Sequence, residues 1–256
     1  MWAHERHQRI VALLNERQRL STEMFAAELG VSKETIRRDL IELELSGKLS
    51  RVHGGAIPST APVEASYGER AKLHKKEKHD IARAVLPLLE TGMSCFVDAG
   101  STTHMLAPGL LQRSGLRVVT NSAVLAQELA SNPGIDALLL GGRMAKEMPA
   151  TYGDQTVAEI NRYRLDVAIV SCVGLDAEDG AMDYLWHEAV VARAMFEHAS
   201  TRILLADSSK LGRRSRVQIC AASEVDVLVT DAAIGKSEMN KLSEAGVKRI
   251  VVAPAA

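Results

Sequence analysis

The chain has 256 residues, 46% of them apolar and 25% charged, and its formal net charge is −1. This is the composition of a soluble globular protein, long enough for a small domain and a medium one, and it excludes binding through a general positive field. No apolar run reaches the length of a membrane span, and the polar start at Met1–Leu14 does not read as a secretory leader. Cys95, Cys172 and Cys220 are widely spaced, with no CxxC and no zinc-like His/Cys set, and read as buried reduced thiols of a cytoplasmic protein. Neither a metal nor a cofactor is expected.

From Glu5 to Glu16 the apolar residues Ile10, Val11, Leu13 and Leu14 recur at helical spacing and predict a first helix. The stretch LSTEMFAAELGVSKETIRRD, Leu20–Asp39, then reads as two short helices around a tight turn. Thr22 is the expected cap of the first, Gly30 ends it in a left-handed conformation, and Ser32 caps the second. Ile36, Leu40 and Leu43 form the buried stripe of the second helix, which leaves Lys33, Thr35, Arg37 and Arg38 on or near its exposed side. Arginine can grip a guanine edge or a phosphate, lysine a phosphate, and threonine a polar or methyl edge, so this helix reads as a DNA recognition helix. The plainer alternative is a helical hairpin with a solvated basic face.

Downstream, Leu49–His53 alternates like a strand, Gly54-Gly55 supplies a turn, and Ala56-Ile57 is the return strand. The result is a small wing from which Arg51 and His53 can reach DNA. With TIRRDL at Thr35–Leu40 and HGGA at His53–Ala56, the segment Leu20–Ile57 closely resembles the N-terminal domain of DeoR-type bacterial transcriptional regulators. The resemblance implies a winged helix-turn-helix that binds double-stranded operator DNA, with Ser32, Lys33, Thr35, Arg37, Arg38, Arg51 and His53 as the contact residues. The acids of this half nearly match its cations, so affinity has to come from the placement of a few cations, doubled in a homo-oligomer (dimer or tetramer).

The stretch from Pro58, PSTAPVEAS, reads as a linker. The organisation is therefore a DNA-binding domain at 1–57, a linker at 58–75 and an α/β domain at 76–256. Lys72, Lys75, Lys76 and Lys78 read first as a solvated helix start, with a phosphate contact as the alternative. Beyond Lys78, strand-like runs (Ser94–Val97, Arg117–Val119, Ala137–Leu140, Val167–Val170, Ile203–Ala206, Val225–Val229, Arg249–Val252) alternate with helical ones (Thr102–Leu111, Ala123–Ala130, Asp154–Asn161, Trp186–His198, Lys236–Glu244). Short β-branched strands between helices predict a parallel sheet covered on both faces.

Polar residues gather after the strands. They include Asp98, Gly100, Ser101, Thr102 and Thr103; Asn121 and Ser122; Gly141, Gly142 and Arg143; Asp176; and Lys210. In such sheets ligands bind at the carboxyl ends of strands. Glycines allow close approach, Lys210 and Arg143 bring positive charge, and Asp98, Asn121 and Asp176 suit hydroxyls, so a phosphorylated, hydroxylated small molecule fits this set. Simple helix capping is the alternative for any one loop.

The motifs DAGSTT, TNS, GGR, GLD, DSSK and VTD make 76–231 similar to the effector domain of the same family. That resemblance implies a Rossmann-like fold similar to ribose-5-phosphate isomerase and a phosphorylated sugar as effector. Gly100–Thr103 would hold the phosphate, and Asp98, Asn121, Asp176 and Lys210 would line the sugar. The chain departs from the family pattern at Val170–Val173, where relatives carry a Gly-rich run, and at the bulky Ala181–His187, where Trp186 and His187 either shape the pocket or cover it. The expected function is repression of a carbohydrate-metabolism operon, with operator affinity set by a sugar phosphate and no catalytic residue. The alternative, an isomerase-like enzyme with a DNA-binding appendage, lacks the dense acidic and glycine-rich loops such an enzyme shows.

Overall fold

A computed structural model describes residues 2–17, 19–45, 48–52, 54–58, 66–146 and 148–254. The chain divides into two compact units, Met1–Glu64 and Ala65–Ala256. Residues 59–65 of the expected linker lie outside the described residues, as does His53.

The first unit contains α1 (Ala3–Arg17), β1 (Leu20–Ser21), α2 (Thr22–Leu29), α3 (Lys33–Leu45), β2 (Leu49–Val52) and β3 (Gly55–Pro58). Its core joins Ile10 and Leu14 of α1, Phe25 and Leu29 of α2, and Ile36, Leu40 and Leu43 of α3. The cap of α2 is Ser21, whose Oγ accepts from Met24 N at 3.2 Å; Thr22 is instead the first helical residue. Gly30 closes α2 at φ 65°, and its N–H donates to Ala26 O.

The β2–β3 hairpin has a third strand that periodicity did not reveal, because β1 is too short to alternate. It also explains why two glycines stand together. Gly54 takes φ 79°, and a Cβ on Gly55 would lie 2.1 Å from Leu20 O of the paired β1.

The second unit begins with α4 (Tyr67–Arg70) and α5 (Lys75–Val85). It continues through β4 (Ser94–Val97), α6 (Ala107–Leu110), β5 (Leu116–Thr120), α7 (Ala123–Leu129), β6 (Ile135–Leu139), β7 (Arg143–Met144), β8 (Thr151–Tyr152) and α8 (Asp154–Ile160). Next come β9 (Leu165–Ser171), β10 (Gly174–Asp176), β11 (Gly180–Asp183), α9 (Trp186–Glu197), β12 (Ala199–Leu205), β13 (Val217–Cys220), β14 (Val227–Thr230), α10 (Lys236–Glu244) and β15 (Arg249–Val252). All seven expected strands are present, with ends shifted by a few residues. The helix expected over Thr102–Leu111 is a 3-10 turn, Thr103–Leu106, followed by the single α turn of α6.

Seven of these strands form one parallel sheet in the order β15-β14-β12-β9-β4-β5-β6. The period of two splits its side chains between two cores. Phe96, Ala168, Val170, Leu204 and Leu228 enter one, while Cys95, Val97, Ile169, Ile203, Leu205 and Val229 enter the other. Helix α9 contributes to the first core through Ala192 and Met195, and α5 to the second through Ile81 and Val85. Outside the sheet, β10, β11 and β13 make a small antiparallel sheet, and β7–β8 a hairpin. The chain runs outward from β4 through β5 and β6, then returns to β9 on the other side of β4. Strand order therefore reverses between β4 and β9, and the crevice beyond their carboxyl ends is where ligands of such sheets bind.

Candidate DNA-binding face and effector pocket

In the first unit, a shallow groove between α3 and the β2–β3 hairpin is lined by Arg37, Arg38 and Arg51 together with Glu34 and Glu44. Ser32 is spent on the helix start: its Oγ accepts from Thr35 N at 3.1 Å and lies 2.8 Å from the Thr35 hydroxyl. An acid stands beside each predicted cation. Lys33 Nζ is 2.8 Å from Glu23, Arg37 and Arg38 lie 3.7 and 3.6 Å from Glu34, and Arg51 Nε donates to Glu44 at 2.8 Å. The Lys33 ammonium holds the Glu23 carboxyl below its ordinary value. These exposed pairs are weak.

Helix α3 is braced from behind. Asp39, 4% exposed, accepts from Arg6 Nε at 2.5 Å and Arg6 Nη2 at 2.9 Å, and stands 3.0 Å from His7 Nε2. Burial alone would raise its carboxyl value, but the hydrogen bonds from Arg6 and His7 outweigh burial and hold it low. Asp39→Ala is expected to cost about 2 kcal/mol, since it strands a partly buried guanidinium. Urea unfolding of the full chain measures this. An unchanged midpoint for the transition of the first unit would contradict the brace.

In the second unit, a pocket sits at the β4/β9 reversal. Asp98, Gly100 and Ser101 reach it from β4, Asn121 from β5, and Ser171, Cys172 and Val173 from β9; Arg70, Asp183, Glu188 and Lys210 complete its polar wall. Of the predicted effector residues, Asp98, Gly100, Ser101, Asn121 and Lys210 therefore converge. Thr102 and Thr103 are fully buried beside them; Thr103 Oγ1 donates back to Asp98 O at 2.9 Å, which pins the loop. Asn121 holds the loop as well, accepting from Ala99 N at 2.8 Å and donating to Thr151 O at 3.0 Å.

Five other predicted residues do not line this pocket. Ser122 caps α7. Gly141 N donates to Glu159 at 2.7 Å, and at Gly142, with φ 142°, a Cβ would meet Thr156 Oγ1 at 2.1 Å, so this pair serves a close packing of backbone on α8. Arg143 is exposed on β7. Asp176 ends β10, where it accepts from Glu178 N and Asp179 N and pairs with Arg214 at 3.2 Å, so it shapes a turn.

Conversely, the basic stretch is not a solvated helix start throughout. Lys78 is 2% exposed and donates to Arg70 O at 2.5 Å and Ser101 Oγ at 3.1 Å, directly behind the loop. Lys210 Nζ donates to Cys172 O at 2.6 Å. Trp186 stays 63% exposed, while His187 stacks on Tyr152 with ring centroids 4.4 Å apart.

Asp183 and Glu188 carry no sequence motif, yet the fold brings them to Asp98. The acidity missing from any single loop is thus assembled from three segments. Burial pushes Asp98 up to about 7, with the charge of Asp183 adding to it; burial and then Asp183 push Glu188 up to about 8, and Asp183 is itself raised. The folded chain therefore holds protons that the unfolded chain has released across roughly pH 4 to 8, and stability falls as pH rises through that window. The urea midpoint of this unit is expected to be lower at pH 9 than at pH 6, and Glu188→Gln should flatten the difference. An equally steep profile in that variant would contradict the assignment.

Two family models match the chain: a DeoR-like helix-turn-helix domain over residues 6–60 and a DeoR C-terminal sensor domain over residues 73–232. The chain belongs to the DeoR family. Among its DeoR-family relatives are the glycerol-3-phosphate regulon repressor of Haemophilus influenzae, 36% identical over 88% of both chains, and the HTH-type transcriptional repressor GlcR of Bacillus subtilis, 34% identical over 98% of this chain and 97% of that one. Among solved structures, a ribose 5-phosphate isomerase from Methanocaldococcus jannaschii aligns over 52% of each chain at 16% identity, with a TM-score of 0.37. Among the described residues, no helix is long and apolar enough to cross a membrane.

Proposed function

We propose that this chain is a transcriptional repressor of a carbohydrate-metabolism operon and that a phosphorylated sugar in the β4/β9 pocket sets its operator affinity. The arrangement that carries the effector reading is the set of three cations, Arg70, Lys78 and Lys210, gathered about Gly100 and Ser101 at the strand-order reversal. An anion seated there meets positive charge and backbone close at hand. Arg70 belongs to α4, which follows within a few residues of the end of the first unit, so an occupant touching Arg70 acts on the segment that leads to the DNA-binding domain. A coupling of about 1–3 kcal/mol between the two sites changes operator occupancy about 5–150-fold. Ser32, Lys33, Thr35, Arg37, Arg38, Arg51 and His53 remain the proposed DNA contacts, used twice or more in a homo-oligomer.

A thermal-shift screen of the full chain against sugar phosphates and their unphosphorylated parents tests the effector reading. A ligand at 100 times its dissociation constant adds about 2.7 kcal/mol to stability. Stabilisation by a phosphate ester but not by its parent is the expected result; no response across hexose, pentose and triose phosphates counts against it. The gathered carboxyls Asp98, Asp183 and Glu188 favour one second reading, since raised carboxyls serve proton transfer. Aldose–ketose interconversion of the same esters by the purified protein, above background, would establish that enzyme reading.

A further inference from the structure

The cations account for a phosphate, but they leave half of the pocket wall unexplained. Asp183 ends β11 and is 6% exposed, with one oxygen accepting from Tyr184 N at 2.6 Å. Glu188, in the first turn of α9, lines the same pocket and shares a side-chain hydrogen bond with it. Asp98 is 8% exposed and accepts from Ser171 N through Oδ2 at 3.1 Å, while its Oδ1 is buried with no hydrogen-bond partner. An unmet buried carboxylate oxygen is costly, so a fold that keeps one at a pocket wall points to a group that arrives from outside. Among the described residues, no three His, Cys, Asp or Glu side chains stand close enough to hold a metal ion. The arriving group must therefore donate hydrogen bonds while remaining attached to an anion that suits Arg70, Lys78 and Lys210.

We propose that Asp98 and the Asp183–Glu188 pair form a hydroxyl-reading subsite beside the cationic one, taking two neighbouring hydroxyls of the bound phosphate ester on their carboxyl oxygens. This rests on the sugar-phosphate reading above and deepens it. The phosphate supplies attraction, and the carboxyls supply the choice among esters. An alkyl phosphate or inorganic phosphate presents no protons to these oxygens and leaves them unpaired, the situation in which polar sites discriminate most strongly. The subsite also gives a reason for acids in an anion pocket. Burial raises these carboxyls, which lessens their repulsion of a neighbouring phosphate, while a ligand without hydroxyls still leaves their oxygens unpaired.

Calorimetric titration of the full chain tests this with glycerol 3-phosphate, ribose 5-phosphate, fructose 1-phosphate and glucose 6-phosphate against propyl phosphate and inorganic phosphate. The wild type is expected to bind at least one hydroxylated ester about tenfold or more tighter than propyl phosphate, as two hydrogen bonds to otherwise unpaired buried oxygens imply. In the isosteric Asp183→Asn/Glu188→Gln double variant, and in Asp98→Asn, that preference should shrink about tenfold while propyl phosphate binding holds or improves. Equal preference in variants and wild type, or equal loss of both ligand types, would overturn the subsite. Equal binding of propyl phosphate and every hydroxylated ester to wild type would overturn it while leaving the phosphate reading standing. No binding of any ester would overturn both.

Discussion

Arg38→Ala is expected to weaken binding to operator DNA by about 1–3 kcal/mol per half-site, and Arg37→Ala by a similar amount, so either loss is multiplied in a symmetric complex. Both guanidiniums are exposed on α3 and face the groove shared with Arg51 of the wing. Fluorescence anisotropy on an operator selected by the protein from a randomised duplex pool, repeated across a salt series, separates their roles. A guanine-reading arginine loses specificity at one base pair, whereas a phosphate-binding one weakens all sequences alike and flattens the salt slope. The Glu34 carboxylate, 3.6–3.7 Å from both guanidiniums, sharpens the prediction. Glu34→Gln should raise affinity for random DNA and steepen its salt dependence, because an acid at the recognition face penalises every duplex that does not repay it. Unchanged operator affinity in both arginine variants would remove the recognition-helix assignment.

The second large effect is expected at Lys78 and Lys210. Lys78→Met removes a buried ammonium that ties the α4 carbonyl at Arg70 to Ser101 of the loop after β4. Lys210→Ala removes the donor to Cys172 O at the end of β9. Both variants should still bind operator, since their changes lie in the second unit, while the sugar phosphate concentration needed to shift operator binding rises tenfold or more. The loss should be larger for Lys78→Met, because it also frees α4. A variant that loses operator binding and effector response together would show a folding defect, visible as a lower urea midpoint. A variant with both intact would exclude that lysine from the site.

How much of this was legible in the sequence depends on how local each signal is. The helix-turn-helix could be read because Ile36, Leu40 and Leu43 keep helical spacing and Gly30 marks the turn, all within one window. The seven sheet strands could be read because each is a short β-branched run. Ser21, rather than Thr22, caps α2, because Ser21 is still extended and its Oγ accepts from Met24 N, while Thr22 is already helical.

The pocket was only half legible. DAGS and Lys210 sit directly after strands and stayed where the pattern put them. Asp176 and Arg143 also come after sheet strands, but they lie within β10 and β7, whose small antiparallel sheet and hairpin carry them elsewhere. Lys78 looked like one more lysine in a charged run; burial against a loop more than twenty residues later decides its role, and periodicity does not encode that. Asp183 and Glu188 flank the bulky Tyr184-Leu185-Trp186-His187 stretch and meet Asp98 only through the return of β9 beside β4.

The measurement that tests the central claim most directly is operator affinity of the full chain with and without each member of a sugar-phosphate panel, run beside Lys78→Met. The account predicts that one phosphorylated sugar shifts wild-type operator affinity by about 5–150-fold. Its unphosphorylated parent should have no effect, and the shift should disappear in Lys78→Met while the variant still binds operator. Operator affinity indifferent to every phosphorylated sugar, or a shift that persists unchanged in Lys78→Met, would contradict it.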